Sequence, residues 1–323
     1  MNDSRTEVLG WAARGLVDRE RVADALRHAG VTPSAGQWRL FLERVLTWLG
    51  IVALTAAVMF FVAANWDALG RFGKFALVEA AIVAALGIGI WRGLDTLAGR
   101  AALVAAALLA GVLLALVGQV YQTGADTWEL FAAWSVAILA WVAVGRQPAL
   151  WMIWLALVNI GIAIYYSTFG GFLGTLFGPT AAMWALFAVN TVALIVWELL
   201  VSRGIRWLDV RWAPRVLAVA GGTAITILAL WSIFEHWRSD GWHLILYALW
   251  VAAVYWAYRV RSVDLFILAG GVLSIVVVIS MGLGRAMSDL HDAGAFLFIG
   301  LVLIASAAIG AFWLRGVAAE ERS

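Results

Sequence analysis

The run AALVAAALLAGVLLALVG, from Ala101 to Gly118, holds eighteen residues and no charge. At 1.5 Å of rise per residue such a helix reaches about 27 Å, close to the roughly 30 Å hydrocarbon core of a bilayer. Nine more stretches of similar length and character accompany it: 46–64, 75–91, 129–145, 149–166, 180–200, 216–234, 242–258, 264–281 and 295–314. Backbone polar groups in lipid must bond within their own segment, so runs of this length read as helices. The chain is therefore expected to be an all-α polytopic integral membrane protein of about ten transmembrane helices.

Composition agrees. Hydrophobic residues make up 64% of the 323 positions, charged residues 13%, and mean hydropathy is +0.93. Those values exclude a water-soluble domain. A pI near 9.2 is no nucleic-acid signal here, because the net charge is only +2 and no basic cluster interleaves with aromatics. The single lysine, Lys74, is not part of a glycine-rich phosphate loop, so no nucleotide is expected. With no cysteine, thiolate chemistry and cysteine-held metals are excluded. No serine elbow or His-Glu-x-x-His pair occurs. No cofactor is implied, an enzyme is the less favoured class, and the lipid bilayer is the partner that the composition dictates.

The basic residues orient the chain. With the N-terminus in the cytoplasm, 18 of the 22 lie on the inside, and only Arg71, Lys74, Arg238 and Arg285 lie outside. The positive-inside rule then places both termini in the cytoplasm, which requires an even number of spans. Residues 1–45 are too polar and too long for a cleaved signal peptide, so the first span reads as a retained anchor. Pro148, Pro179 and Pro214 stand at the entrances to spans, where a missing N–H costs nothing. Many of the 20 tryptophans, Trp66, Trp91, Trp128, Trp197 and Trp242 among them, fall near span ends and read as interfacial anchors.

Four segments organise the chain. Residues 1–45 form a cytosolic amphipathic helical hairpin (3–30) and a linker around Pro33–Gly36. Such a hairpin is too small for a core of its own, so it should dock on loops, on the bilayer or on a protein partner. Residues 46–145 form a first four-helix unit, 146–215 the connecting helices and a basic loop, and 216–323 a second four-helix unit with a short tail. Arg44-Val45-Leu46 echoes Arg215-Val216-Leu217, Trp66 echoes Trp237, and Arg92-x-x-Asp95 echoes Arg261-x-x-Asp264. Four spans being even, this would be a parallel repeat. The pairs Gly221–Gly222 and Gly270–Gly271 are expected to let neighbouring helices approach, as is the alanine-rich face of the third span.

Polar residues at expensive depths are the candidates for function. Glu79 lies about one turn inside the second span from its outer end, where ionisable groups usually face a bundle interior or water. A packing hydrogen bond and snorkelling are the bland alternatives. The string GQVYQTGADTWELF, Gly118 to Phe131, follows the third span. Gly124 can turn, Asp126 or Thr127 can cap, and Trp128 can anchor, which leaves Gln119, Tyr121 and Gln122 unexplained. Glu79, Gln119, Tyr121, Gln122 and Asp126 are thus the candidate substrate or proton pathway. On the same outer side His236, His243, Asp289, His291 and Asp292 form a weaker candidate metal set, or simply solvated loops. Glu198 is expected to pair with Arg203.

With the N-terminal hairpin and Ala64-Asn65-Trp66, the Gly-Gln-x-Tyr-Gln-Thr-Gly-Ala-Asp core resembles the bacterial predicted-membrane-protein family called domain of unknown function 2157, over roughly residues 5–145. The resemblance implies a bacterial inner-membrane location and brings no activity or catalytic residues. Three functions compete. The first is a transporter-like or lipid-handling protein with an outward-facing polar site near Glu79 and Gln119. The second is a membrane scaffold or assembly factor. The third is a membrane enzyme using outer-face carboxylates and histidines.

Overall fold

The computed structural model describes residues 2–31, 33–169, 171–234, 242–288 and 293–320. All regular elements among them are helical. In chain order they are α1 (Asn2–Ala13), α2 (Val22–His28), α3 (Ala35–Ala64), α4 (Arg71–Arg92), α5 (Leu97–Tyr121), α6 (Thr127–Gly145) and α7 (Pro148–Thr168). There follow α8 (Gly171–Phe177), α9 (Ala181–Ser202), α10 (Trp212–Phe234), α11 (Trp242–Tyr255), α12 (Leu265–Ala286) and α13 (Ala293–Glu320). Ten segments among the described residues are long and apolar enough to cross a membrane, and each matches one expected span. A π-helical stretch, Trp256–Arg261, prolongs α11.

Most helix ends follow the hydropathy; α3 does not. It begins at Ala35, eleven residues before the apolar run, because Ser34 and Gln37 form a capping box. Ser34 Oγ accepts from the Gln37 N–H at 3.2 Å, and Gln37 Oε1 accepts from the Ser34 N–H at 2.9 Å. The expected linker is thereby reduced to the residues just before Ala35. At the N-terminus α1 and α2 pack together, Val8 is buried, and Gly15 turns the chain at φ 71°.

The chain divides into two compact units, Met1–Thr123 and Gly124–Ser323. In the first, α5 packs against both α3 and α4. Its alanines at 101, 102 and 105–107 are buried, as a small-residue packing face requires. Gly99 admits α5 beside the preceding turn, since a Cβ there would strike the Gly93 carbonyl. Lys74 is buried with its Nζ 3.5 Å from the Trp66 ring centroid, a cation–π contact that closes the α3–α4 turn.

In the second unit α10 is the central helix, packed by α9, α11 and α12. Gly221 and Gly222 make that possible: a Cβ would lie 3.2 Å from Thr191 Oγ1 on α9 and 2.9 Å from Trp250 Cη2 on α11, respectively. Gly270 and Gly271 have open space beside them instead, so that pair does not serve close approach. α7 joins α9 through a reciprocal amide pair, Asn159 with Asn190. Hydroxyls link the other neighbours. Thr226 Oγ1 and Ser274 Oγ are 2.7 Å apart, and Tyr247 OH is 2.9 Å from the same Ser274 oxygen.

Candidate functional site

Helices α9 and α11 both pack on α10 and leave a cleft of about 460 Å³ between them. That volume lies within the roughly 300–1,000 Å³ range of ligand pockets. Its walls run from Thr191 to Ser202 on α9 and from Trp250 to Arg261 on α11, with Pro214 of α10 in the floor. Twelve residues of helix on either wall, eleven rises of 1.5 Å, correspond to roughly 16 Å, about half the hydrocarbon thickness. The deep part is apolar, with Leu194, Trp250 and Val254. Ile195, Leu199 and Trp256 are about half exposed, so the cleft's edges lie on the outer face of the unit.

The other end is charged. Glu198, Asp209, Arg211 and Arg261 line it, with Ser202 and Ser262. Local structure puts them there. α9 ends in a Schellman motif, in which the Gly204 N–H bonds to Val201 O at 2.9 Å and the Ile205 N–H to Leu200 O at 3.2 Å, with Gly204 at φ 86°. The loop then folds back, held by buried Trp197, whose Nε1 donates to Leu208 O at 3.0 Å. Trp197 is thus a core clamp rather than an interfacial anchor. On the opposite wall the π-helical turn carries Tyr258 and Arg261, and such turns recur at functional sites.

Tyr258 OH donates to Glu198 Oε1 at 2.9 Å, bridging the two walls. The expected Glu198–Arg203 ion pair does not form among the described residues. Five residues along an α-helix is some 140° away from the same face, so the two side chains diverge. Arg211 lies within electrostatic reach of the Tyr258 hydroxyl.

A second, smaller cleft of about 250 Å³ lies between α10 and α12. Gly270, Gly271, Thr226 and Ser274 line it, and Trp250 is shared with the first. At its end Arg215 Nε donates to both oxygens of buried Asp264, at 3.2 and 3.0 Å. Asp264 Oδ1 also accepts from the Phe266 and Ile267 N–H groups, capping α12.

The residues singled out from sequence lie elsewhere. Glu79 is exposed on α4, on one stripe with Phe72, Ala76 and Val83. Gln119 is exposed near the end of α5. Tyr121 lies beside Phe75, ring centroids 5.9 Å apart, and 5.9 Å from the Arg71 guanidinium. Gln122 is the left-handed C-cap of α5, at φ 48°, which supplies the account that capping from the other side could not. Asp126 is the N-cap of α6, its N–H bonded to Glu129 Oε2 at 3.2 Å. None of the five lines either cleft.

Of the metal candidates, His236, Asp289, His291 and Asp292 lie outside the described residues. His243 is buried in an aromatic stack, its ring 4.1 Å from that of Trp242 and 5.4 Å from that of Trp184. Among the described residues no group of three acidic or histidine side chains could hold a metal ion. Sequence reasoning passed over Asn159 and Asn190, although they are the only asparagines inside spans. It read Arg211 as a topology signal alone, and Arg261 as a topology signal and a mark of the repeat.

No curated protein and no solved structure matches this chain. Residues 9–151 match the family described as predicted membrane protein, domain of unknown function 2157 (DUF2157).

Proposed function

We propose that this protein is a lipid-handling protein of the bacterial inner membrane, with both termini in the cytoplasm and its ligand seated between α9 and α11. One observation carries the reading: a cleft one leaflet deep, apolar along its length and charged at a single end. A soluble solute would find few polar partners along such walls, whereas an amphiphile matches both parts. In the proposed orientation the charged end faces the cytoplasm, since loop 203–211 and Arg259–Arg261 belong to the basic side. We also take 46–145 and 216–323 as copies of one unit, supported by the packing of first helix on third in each, α3 with α5 and α10 with α12.

The test is retention of lipid through gentle extraction. Native mass spectrometry of the wild type should show one bound lipid, and Ala253→Trp, which fills the cleft from α11, should remove it. A wild-type protein that carries no lipid, or a bound lipid indifferent to Ala253→Trp, refutes the reading.

A scaffold role is the second reading, favoured by Glu79. A carboxylate in mid-helix on an otherwise apolar exposed stripe is costly against lipid and is better satisfied by another protein's helix. If Glu79→Leu leaves the size of the complex on native gels of solubilised membranes unchanged, this second role falls.

A further inference from the structure

The charged end of the cleft identifies the class of headgroup. Arg211 stands on the loop that follows α9, and Arg261 on the π-helical turn that ends α11, so the two approach the cleft from opposite walls. Neither belongs to an ion pair among the described residues, whereas nearby Arg215 and Arg259 are engaged by Asp264 and Glu320. On the acidic side of the same mouth Glu198 accepts the Tyr258 hydroxyl, and among the described residues neither Glu198 nor Asp209 forms an ion pair with the two arginines. What remains open is a pair of arginines lining the charged end of the cleft, with Asp209 beside them.

Guanidinium pairs bind phosphate oxygens through parallel N–H donors, and basic pockets between helices on the cytoplasmic side suit phosphate headgroups. An ammonium headgroup could pair with Glu198 or Asp209 but would leave both arginines without an anion. A neutral diacylglycerol would leave both arginines without an anion. Building on the lipid-handling reading, we propose that the ligand is a phospholipid whose phosphate is clamped between Arg211 and Arg261, with one acyl chain lying along Leu194 and Val254.

The experiment titrates the full-length protein in mild detergent with dioleoylphosphatidylglycerol, with dioleoylglycerol and with inorganic phosphate, and reads bound mass by native mass spectrometry. Expected is binding of phosphatidylglycerol, at least tenfold weaker in Arg211→Gln and in Arg261→Gln. Arg203→Gln and Arg206→Gln, on the same basic loop but outside the cleft, should leave it unchanged. If dioleoylglycerol binds equally well, or the two cleft variants lose no more than the two loop variants, the phosphate clamp is refuted. In that case a loss in Ala253→Trp would still keep the lipid cleft. Displacement of the lipid by millimolar inorganic phosphate, with no acyl-chain requirement, would overturn the phospholipid assignment in favour of a free anion. If phosphatidylglycerol binds equally to wild type and Ala253→Trp, the cleft itself is wrong and the clamp falls with it.

Discussion

The amide pair that joins α7 to α9 makes a quantitative claim. Asn190 Nδ2 donates to Asn159 Oδ1 at 2.5 Å, and Asn159 Nδ2 returns a bond to Asn190 Oδ1 at 3.3 Å. The second N–H of each amide stays at home, on Leu186 O at 2.8 Å and Leu155 O at 2.7 Å. Asn190 is 2% exposed, so water cannot replace a lost partner. Asn159→Leu therefore orphans one N–H and one carbonyl of Asn190, at a gross cost of about 1–3 kcal/mol. Asn190→Leu does the mirror image. Helices separated in a micelle find some other partners, which lowers the net single-variant cost to about 1–2 kcal/mol. The double variant removes both orphans and fills the contact with methyls, so it should be less destabilised than the sum by about 1 kcal/mol. Unfolding by SDS added to dodecyl maltoside micelles, followed by tryptophan fluorescence, measures all four proteins. Additivity within about 0.3 kcal/mol would refute the pairing. Thr191, which lines the cleft, follows Asn190 directly, so the single variants should also weaken lipid retention.

The remaining expectations are simpler. Gly99→Ala should cost about 2 kcal/mol in the same assay, because the new methyl meets the Gly93 backbone, which cannot rotate away as a side chain would. Asp264→Ala should cost about 3 kcal/mol by removing the Arg215 partner and the α12 cap together; a loss below about 1 kcal/mol would contradict that double duty. Tyr258→Phe should cost only about 1 kcal/mol, and it should speed exchange of bound lipid by freeing Glu198.

The ten helices were legible because lipid leaves the backbone so few options that apolar length alone names the element. Helix ends were legible only where hydropathy changes there. The start of α3 was missed because a polar capping box, Ser34 with Gln37, sets it eleven residues outside the apolar run. Gln122 stayed unexplained because a left-handed C-cap other than glycine leaves little trace in sequence. Span-end tryptophans looked equivalent, yet Trp197 is buried and clamps a loop while Trp91 is 81% exposed. Glu79 drew attention by its charge, but charge does not say which way a helix face points. The cleft was out of reach for a related reason. Its lining comes from three helices and a returning loop, and their rotations about their axes are fixed by contacts such as Gly222 with Trp250.

That last contact joins the two clefts. Trp250 forms part of both walls, and its ring lies against α10 only because residue 222 lacks a side chain. A single close approach therefore sets the depth of a 460 Å³ and a 250 Å³ space together. The polar joints of this unit surround that approach without filling it. Asn159–Asn190 holds α9 from behind, Tyr247–Ser274–Thr226 ties α11 and α12 to α10, and Arg215–Asp264 closes the far end of α10. Hydrogen bonds are directional where apolar contacts are not, so such joints fix helix rotation in a medium that gives apolar faces little reason to prefer one another. A bundle packed only by apolar contacts could slide to close the space between α9 and α11. One pinned by these joints keeps it open and ready for a chain of lipid.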